Sequence, residues 1–272
     1  MKKTKIAIIG TGNMGEALIA GILSSGIVSS PKYIIGSDIK EERRNYIRKK
    51  YKIDVTENNV FAVKNSNIVI LSVKPQQIKE VLEEIKNSIT QQHLIISIVA
   101  GLKIKNIQKM LNNNKLNIIR VMPNTPCLVN AGMSVLSLSK NVATEHLTIA
   151  KKIFSSLGEV LILPEKHMDA VTAVSGSGPA YIFYLAELMI RAAEKLNLPK
   201  NVVPTLVKQT IFGAAALMKS SAEPPETLRM KVTSPGGTTE AAIKYMENNN
   251  LQNIIISAIE CAADRAKELS KI

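Results

Sequence analysis

The sequence predicts an α/β protein: a doubly wound, mostly parallel sheet with helices on both faces, followed by an all-α domain. Up to Pro164, short apolar runs alternate with amphipathic segments, which is typical of parallel strands joined by crossover helices. From Met168 onward no strand-like run is convincing, and long Ala-rich helical patterns dominate. We therefore place a domain boundary near residue 164, with one domain at 1–164 and the other at 165–272.

The predicted strands of the first domain are short apolar runs, and each predicted helix follows one of them along the chain. The strand runs are residues 5–9, 33–37, 68–73, 94–98, 117–121, 133–137 and 160–163. The helical segments are residues 13–25, 40–50, 75–85 and 104–111. This alternation favours right-handed strand–helix–strand units in one sheet.

The pattern of the second domain predicts four helices at residues 180–196, 202–219, 239–248 and 251–271, with Pro or Gly at the breaks between them. These helices carry more Ala and aliphatic surface than a small monomeric bundle can bury. Association between copies would cover the remainder, so we expect a homodimer.

Composition and charge limit the partners of the protein. The net charge of +13 is compatible with a nucleic-acid surface, but the basic residues are spread along the chain, and aromatic residues are only 4%. The densest basic stretch, residues 40–50, also contains Glu41 and Glu42. We favour a solvated Lys-rich surface that attracts small anions, and we expect no nucleic-acid partner.

Cysteine and histidine usage gives no sign of a disulfide framework or a metal site. The chain has two cysteines, Cys127 and Cys261, and three histidines without ligand spacing. The start of the chain superficially resembles a signal peptide, but Asn13 and Glu16 interrupt its apolar run. No apolar stretch is long enough to span a bilayer. We expect a cytoplasmic protein with no metal and no membrane partner.

A glycine motif between the first strand and the first helix indicates a dinucleotide site. The motif is Gly10-Thr11-Gly12-Asn13-Met14-Gly15. In such a loop the first glycine permits a tight turn, the second lets a pyrophosphate approach, and the third lets the helix pack on the strand. A glycine turn without a ligand is the alternative, but the flanking strand and helix favour a Rossmann-type domain.

Asp38, at the end of the second strand, stands where an acidic residue usually binds the adenine ribose 2′-hydroxyl of NAD. Lys40, Arg43 and Arg44 follow it and could instead neutralise the 2′-phosphate of NADP, or form a solvated helix face. The sequence therefore leaves the choice between NADH and NADPH open.

Four further segments make a family recognisable. They are Ser72-Val73-Lys74-Pro75, the run at 121–126 (VMPNTP), the run at 175–181 (SGSGPAY) and the run at 233–239 (TSPGGTT). With the glycine motif, and in the same order along the whole chain, they resemble the pyrroline-5-carboxylate reductase family. The resemblance implies reduction of 1-pyrroline-5-carboxylate to L-proline by NADPH or NADH. It also implies a helical dimerisation domain, with dimers assembled into larger rings such as a decamer.

The resemblance also implies site residues. The expected cofactor contacts are Ile9, Gly10, Thr11, Gly12, Asn13, Met14, Asn59, Ser72, Val73, Lys74, Pro75, Ala100, Gly101 and Asn124, in addition to Asp38 from its place at the end of the second strand. A plain strand-to-helix turn is the alternative for residues 73–75. The expected substrate contacts are Ser234, Gly237, Thr238 and Thr239, with Thr239 as the catalytic candidate. Ser175 is a further candidate, although the small residues at 175–179 favour a structural role that permits close helix packing. One departure is Arg229-Met230, where the family commonly has Lys-Asp. That difference puts any role of these two positions in doubt.

The residues at 234–239 support a substrate site independently of the resemblance. A Ser-Pro-Gly-Gly turn that enters a helix leaves backbone N–H groups unpaired, and the helix dipole favours an anion there. Ser234 and the N–H groups near Gly237 and Thr238 would hold the substrate carboxylate, and the Thr239 hydroxyl would face the ring nitrogen. A plain helix cap is the alternative.

Three other functions compete with the reduction of this small anionic imine. A β-hydroxyacid dehydrogenase shares the two-domain layout, but it needs a catalytic Lys after a glycine pair. Here the helix after Gly178 has no Lys until Lys195. A related imine reductase for another ring size remains open. A dinucleotide sensor or nucleic-acid-binding module has only the basic charge in its favour.

Overall fold

The computed structural model describes residues 4–270, so the chain start and the predicted helix end at residue 271 lie outside the described residues. The chain folds into two compact units. The sheet unit holds the residues up to Ser177 together with those from Ala262 onward, and the helical unit is Gly178–Cys261. The predicted division near residue 164, between a dinucleotide-binding domain and a dimerisation and substrate-binding domain, stays a prediction.

The sheet unit contains an eight-stranded sheet in the order β3-β2-β1-β4-β5-β6-β7-β8. The strands are β1 (Ile6–Ile9), β2 (Ile34–Ser37), β3 (Asp54–Thr56), β4 (Ile68–Leu71), β5 (Leu94–Ser97), β6 (Asn117–Met122), β7 (Gly132–Leu138) and β8 (Gly158–Ile162). Strands β1 to β6 are parallel, β7 is antiparallel to β6, and β8 is parallel to β7. The predicted mostly parallel, doubly wound sheet is confirmed.

The helices of the sheet unit cover both faces of the sheet. They are α1 (Asn13–Ser24), α2 (Glu41–Tyr51), α3 (Asn59–Lys64), α4 (Ile78–Ile85), α5 (Ile104–Met110), α6 (Thr144–Ser155) and the one-turn α7 (Met168–Val171). Alternate residues of a strand face opposite sides. Accordingly Ile6 and Ile8 join a core with α1, α2 and α6, whereas Ala7 and Ile9 join a second core with α3, α4 and α5.

Four strands and helices of the sheet unit are absent from the sequence prediction, namely β3, α3, α6 and the one-turn α7. Strand β3 has three residues, starts with an exposed Asp54 and lies at the edge of the sheet. Helix α3 has six residues, too few for a clear helical period. The antiparallel turn-back of β7 has a simple cause: its connection to β6 is short, and a parallel neighbour needs a long crossover.

The helical unit is formed by α8 (Gly178–Lys195), α9 (Val203–Ser220), α10 (Pro225–Lys231), α11 (Thr238–Asn248) and the first part of α12 (Leu251–Leu269). Its buried core is small and centres on Ala193, Val203 and Val207. Large apolar side chains stay exposed, including Phe183 at 66% and Phe212 at 68%. Within residues 4–270, no helix combines the length and the apolar character that a membrane crossing requires.

Candidate functional site

The predicted cofactor loops meet at the point where the strand order reverses. Strands β1 and β4 are neighbours, yet the chain continues from β1 to β2 on one side and from β4 to β5 on the other. Ligands of doubly wound sheets bind outside the carboxyl ends of strands at such a point. The loop after Ile9 and the segment Ser72–Pro75 both begin there, and the N–H of Ser72 donates to the carbonyl of Ile9 at 2.8 Å.

The three glycines of the loop have different surroundings. A Cβ on Gly10 would lie 2.6 Å from the carbonyl oxygen of Ser72, and Gly10 has φ of +90°. A Cβ on Gly15 would lie 2.2 Å from the carbonyl oxygen of Gly10. A Cβ on Gly12 would meet no atom within 4 Å. The first and third glycines are therefore required by the protein itself, whereas the second faces open space that a ligand can enter.

The residues around this open space fit a dinucleotide. Gly12 is the N-cap of α1, no side chain caps the helix, and the N–H of Glu16 is the donor to the Gly12 carbonyl. The N–H groups of the first turn are thus available to a phosphate. The hydroxyl of Ser72 is buried and has no hydrogen-bond partner among the described residues. Buried hydroxyl groups normally form a hydrogen bond, and a bound ligand would provide the partner for this one.

The remaining predicted residues of these two loops differ in accessibility. Ile9 and Thr11 are buried, Met14, Val73 and Pro75 are half-buried, and Asn13 and Lys74 are exposed. Lys74 precedes a short 3-10 helix that starts at Pro75, and its carbonyl accepts the N–H of Gln77. The structure brings all of these loop residues to the carboxyl ends of β1 and β4.

Asp38 is tied to the glycine loop. One carboxylate oxygen, Oδ2, accepts hydrogen bonds from the N–H and the hydroxyl of Thr11, both at 3.0 Å. The other oxygen, Oδ1, accepts the N–H of Lys40 at 3.0 Å. The carboxylate is thus fixed in orientation at the end of β2, the place predicted for it.

The two arginines that follow Asp38 are bound to protein groups. The guanidinium of Arg43 donates from Nε to the carbonyl of Thr11 at 2.6 Å and from Nη2 to the carbonyl of Gly12 at 3.3 Å. The guanidinium of Arg44 donates to the carbonyls of Asp38 and Ile39 and forms an ion pair with Glu57 at 3.1 Å. Neither side chain belongs to a merely solvated helix face.

Glu16, in the first turn of α1, is a residue for which the sequence predicts no functional role, and it holds Arg43 in place. Its carboxylate accepts hydrogen bonds from Arg43, Tyr46, Lys50 and Tyr51 at 2.5–3.0 Å. Burial by itself would raise the pKa of Glu16, but the bonds from Lys50, Arg43 and the two tyrosines outweigh it and lower the pKa to about 2. An acidic residue in a first helical turn is the only sequence signal for this cluster.

Glu16→Gln is expected to destabilise the sheet unit by about 1–2 kcal/mol at neutral pH. The folded pKa lies below the ordinary value of 4.5. The stabilisation is therefore present above pH 4.5 and is lost as the pH falls through about 2. Urea unfolding of both proteins between pH 7 and pH 2 would show the difference shrinking. A pH-independent difference would contradict the assignment, and Glu145→Gln, at an exposed acid of α6, serves as control.

Asn59 lies at the start of α3, 8% exposed, and its amide is engaged by the protein. Its Oδ1 accepts the hydroxyl of Ser37 at 2.7 Å, and its Nδ2 donates to Glu84 at 2.7 Å. These bonds join the end of β2 to α3 and α4. Asn59 therefore has a structural role here, and its predicted cofactor contact stays a prediction.

Two predicted cofactor residues follow β5. Ala100 is exposed. Gly101 has φ of +76°, and a Cβ there would lie 2.9 Å from the carbonyl oxygen of Leu269. The close approach of the last turn of α12 is thus a structural reason for glycine at this position.

Asn124 connects the end of β6 with the predicted substrate residue Ser175. Its Oδ1 accepts the N–H of Met133 at 2.9 Å, and its Nδ2 donates to the carbonyl of Ser175 at 3.3 Å. Ser175 lies in a π-helical turn, Thr172–Gly176. The Ser175 hydroxyl is buried without a hydrogen-bond partner among the described residues. Both the turn, a feature common at functional sites, and the orphaned hydroxyl favour a ligand contact.

The predicted substrate loop in the helical unit is a tight turn that leads into α11. The N–H of Gly237 donates to the carbonyl of Ser234 at 2.9 Å, with Pro235 next and Gly236 at φ of +71°, as in a type II turn. Gly237 is the N-cap of α11, and no side chain caps the helix. Ser234 and Thr238 are exposed and Thr239 is half-buried. The first-turn N–H groups remain available to an anion.

Glu240, another residue without a predicted role, orders this turn. Its Oε2 accepts the N–H of Gly236 at 2.7 Å, and its Oε1 pairs with Lys244 at 3.0 Å. The pKa of Glu240 lies below its ordinary value because of the hydrogen bond from Lys244 and, next, that from Gly236. Glu240 lies three residues after the N-cap, the position from which a glutamate typically accepts a backbone N–H at the start of its own helix.

The fold and the glycine loop define the class: an oxidoreductase-type dinucleotide-binding protein with an appended helical unit. Two family models match the chain. Residues 165–269 match "Pyrroline-5-carboxylate reductase dimerisation", and residues 5–101 match "NADP oxidoreductase coenzyme F420-dependent".

Full-length relatives agree with these models. The pyrroline-5-carboxylate reductase of Synechocystis sp. is 39% identical, over 98% of each chain, and that of Pseudomonas aeruginosa is 40% identical, over 100% of this chain and 98% of the relative. The Coxiella burnetii enzyme structure has a TM-score of 0.90 at 37% identity and covers 100% of both chains. A Plasmodium falciparum structure with NADP bound has a TM-score of 0.88 at 31% identity and covers 99% of both. The chain belongs to the pyrroline-5-carboxylate reductase family.

Proposed function

We propose that this chain reduces 1-pyrroline-5-carboxylate to L-proline with NAD(P)H, the last step of proline synthesis. The observation that carries the proposal is the glycine loop, in which Gly12 alone of the three motif glycines faces open space beside an uncapped helix. Family membership supplies the substrate. In this proposal residues 1–164 bind the dinucleotide, and residues 165–272 serve dimerisation and substrate binding.

On the cofactor side, the chain holds the dinucleotide by its phosphates and ribose. The first-turn N–H groups of α1 receive the pyrophosphate at Gly12, and the Ser72 hydroxyl and the Val73–Lys74 backbone line the other side of the loop. The reduced nicotinamide supplies a hydride when it is bound. Ala100, Gly101 and Asn124 lie along its expected path, and Asn59 supports the end of β2.

On the substrate side, the start of α11 receives the ring carboxylate. The proposed donors are the hydroxyl of Ser234 and the N–H groups of Thr238 and Thr239, and the helix dipole adds to their attraction. The N–H of Gly237, predicted as a donor to the substrate, donates to the Ser234 carbonyl instead. The Thr239 hydroxyl is the proposed partner of the ring nitrogen. The buried hydroxyl of Ser175 is a further proposed substrate contact.

This chemistry needs little beyond positioning. A protonated cyclic imine is already electrophilic, so the hydride adds to carbon and the nitrogen keeps its proton. The reaction needs neither a nucleophile nor a general base, and the proposed site residues include no His or carboxylate in such a role. Most of the rate enhancement is expected from holding the reacting carbon in line for transfer.

Steady-state kinetics with 1-pyrroline-5-carboxylate and either NADH or NADPH test the proposal. We expect saturable oxidation of at least one reduced cofactor, with stoichiometric formation of proline. The same preparation assayed with 3-hydroxyisobutyrate and NAD(P)⁺ tests the β-hydroxyacid dehydrogenase alternative, which the family assignment does not favour. Turnover of the hydroxyacid without turnover of the imine would reject the proposal.

The surface of the helical unit favours a homo-oligomer, and the number of copies in it is part of the proposal. Exposed apolar residues of α8 and α9, such as Phe183 and Phe212, form the kind of surface that a second copy covers. We propose a dimer that assembles further into a ring such as a decamer, and light scattering after gel filtration would measure its mass.

We also propose a cytoplasmic location, because Cys127 and Cys261 are both free, as in a reducing compartment.

A further inference from the structure

We propose that Glu16, acting through Arg43, orients the glycine loop for the dinucleotide and so controls how tightly this chain binds NAD(P)H. The inference rests on the proposed function and adds a positioning residue on α1 that lies outside the predicted cofactor contacts. It depends on three features of the sheet unit: the fixed carboxylate of Glu16, the two carbonyls that Arg43 binds, and the two unpaired N–H groups of the same peptides.

The two oxygens of the Glu16 carboxylate have separate partners. Oε1 accepts hydrogen bonds from three side chains of α2, which are Tyr46 at 3.0 Å, Lys50 at 2.8 Å and Tyr51 at 2.9 Å. Oε2 accepts a hydrogen bond from Nη2 of Arg43 at 2.5 Å. Because three donors hold Oε1, the direction of Oε2 is fixed, and the position of the Arg43 guanidinium is fixed with it.

Arg43 transmits this constraint to the backbone of the glycine loop. Its Nε donates to the Thr11 carbonyl at 2.6 Å, and its Nη2 donates to the Gly12 carbonyl at 3.3 Å. In a planar trans peptide the N–H points opposite to the C=O, and no cis peptide bond occurs within the described residues. The N–H groups of Gly12 and Asn13 therefore face away from Arg43.

These two N–H groups are available to a ligand. Neither the N–H of Gly12 nor that of Asn13 has an acceptor among the described residues, and Gly12 borders open space. Backbone N–H groups at a glycine loop and the helix start after it are typical donors to phosphates. Rotation of either peptide would turn a carbonyl oxygen towards the phosphates and repel them. Arg43, held by Glu16, opposes that rotation.

A direct contact between Arg43 and the cofactor is the competing interpretation, because Nη1 of Arg43 has no hydrogen-bond partner within residues 4–270. The two interpretations predict opposite effects of Glu16→Gln. If Arg43 acts through the backbone, loss of the carboxylate frees the guanidinium to leave the carbonyls and weakens nucleotide binding. If Arg43 binds a phosphate directly, loss of its paired carboxylate increases the local positive charge and tightens binding.

Titration of the full-length protein with NADH and with NADPH, followed by nucleotide fluorescence, measures the dissociation constants without turnover. We expect Glu16→Gln and Arg43→Ala each to weaken both nucleotides by about 5- to 20-fold. The double variant should stay within about 2-fold of Arg43→Ala, because the two side chains act as one unit. Lys50→Met removes the other ion pair of Glu16 and should remain within about 2-fold of wild type. Thermal melts check that each variant is folded at the titration temperature.

Arg43→Lys is a second variant, which tests the inference even if Glu16→Gln does not fold. It keeps the positive charge, but one ammonium cannot replace the planar fork that spans two carbonyls and Glu16, so we expect the same loss as in Arg43→Ala. Wild-type affinity of Arg43→Lys would overturn the inference. Tighter binding by Glu16→Gln, additive losses in the double variant, or an equal loss in Lys50→Met would also overturn it.

The inference and the reductase proposal can fail separately. Any of the overturning results above would leave the reductase proposal standing, because the wild-type protein would still bind the nucleotide. Absence of imine turnover with the expected losses of nucleotide affinity would reject the reductase proposal and leave the role of Glu16 intact. Wild-type protein that bound neither nucleotide would contradict both.

Discussion

Gly12→Val is expected to weaken NADH or NADPH binding by about 30- to 100-fold while it leaves the melting temperature within about 2 °C of wild type. No protein atom lies within 4 Å of the Cβ position at Gly12, so the added side chain starts in open space and its Cβ causes no clash. The same side chain fills the space where a pyrophosphate approaches the first turn of α1. Nucleotide titration and a thermal melt, on one preparation, measure both quantities.

Gly10→Ala is the matched comparison, because the smallest possible side chain is added two residues away. There the Cβ would lie 2.6 Å from the Ser72 carbonyl, at a φ that disfavours any side chain. We expect a loss of roughly 2–4 kcal/mol in stability and a melting temperature lower by at least about 5 °C. If Gly12→Val destabilised the protein as much as Gly10→Ala, or bound nucleotide normally, the assignment of the open space would be wrong.

Thr239→Val should lower kcat/KM for 1-pyrroline-5-carboxylate by about 5- to 150-fold, the equivalent of losing one buried hydrogen-bond partner worth about 1–3 kcal/mol. Valine has the shape of threonine without its hydroxyl, so the helix start keeps its packing. Thr239→Ser keeps the hydroxyl and should retain most of the activity. Initial rates over a range of imine concentrations, at saturating cofactor, give kcat and KM separately.

The split between kcat and KM distinguishes positioning from simple binding. A hydroxyl that faces the ring nitrogen during hydride transfer should affect kcat as well as KM, whereas a mere carboxylate contact should raise KM alone. Nucleotide affinity should not change, since Thr239 is proposed to contact the imine and not the dinucleotide. Wild-type turnover by Thr239→Val at both limiting and saturating imine would remove Thr239 from the mechanism.

Some parts of the fold and the site follow from local sequence patterns. Strands β1, β2, β4, β5 and β6 are buried by helices on both faces, so each contains at least two consecutive apolar residues that are visible in the sequence. The glycine loop and the Pro235-Gly236 turn are also local, because a positive φ at Gly10 or Gly236 restricts the residue type directly. Edge strand β3 and the short helix α3 lack such patterns, so the sequence does not predict them.

The sequence by itself determined the class of fold, the position of the dinucleotide loop and the family to which the chain belongs. Only the tertiary structure decided what Asp38, Arg43, Glu16 and Asn59 contact, because their partners, apart from the Lys40 N–H on Asp38, lie 22–35 residues away along the chain. Whether Arg43 is a solvated cation or a support for the glycine loop depends on where α2 packs against α1. That packing is set by the summed burial of many apolar residues in the core, and no short stretch of sequence encodes it.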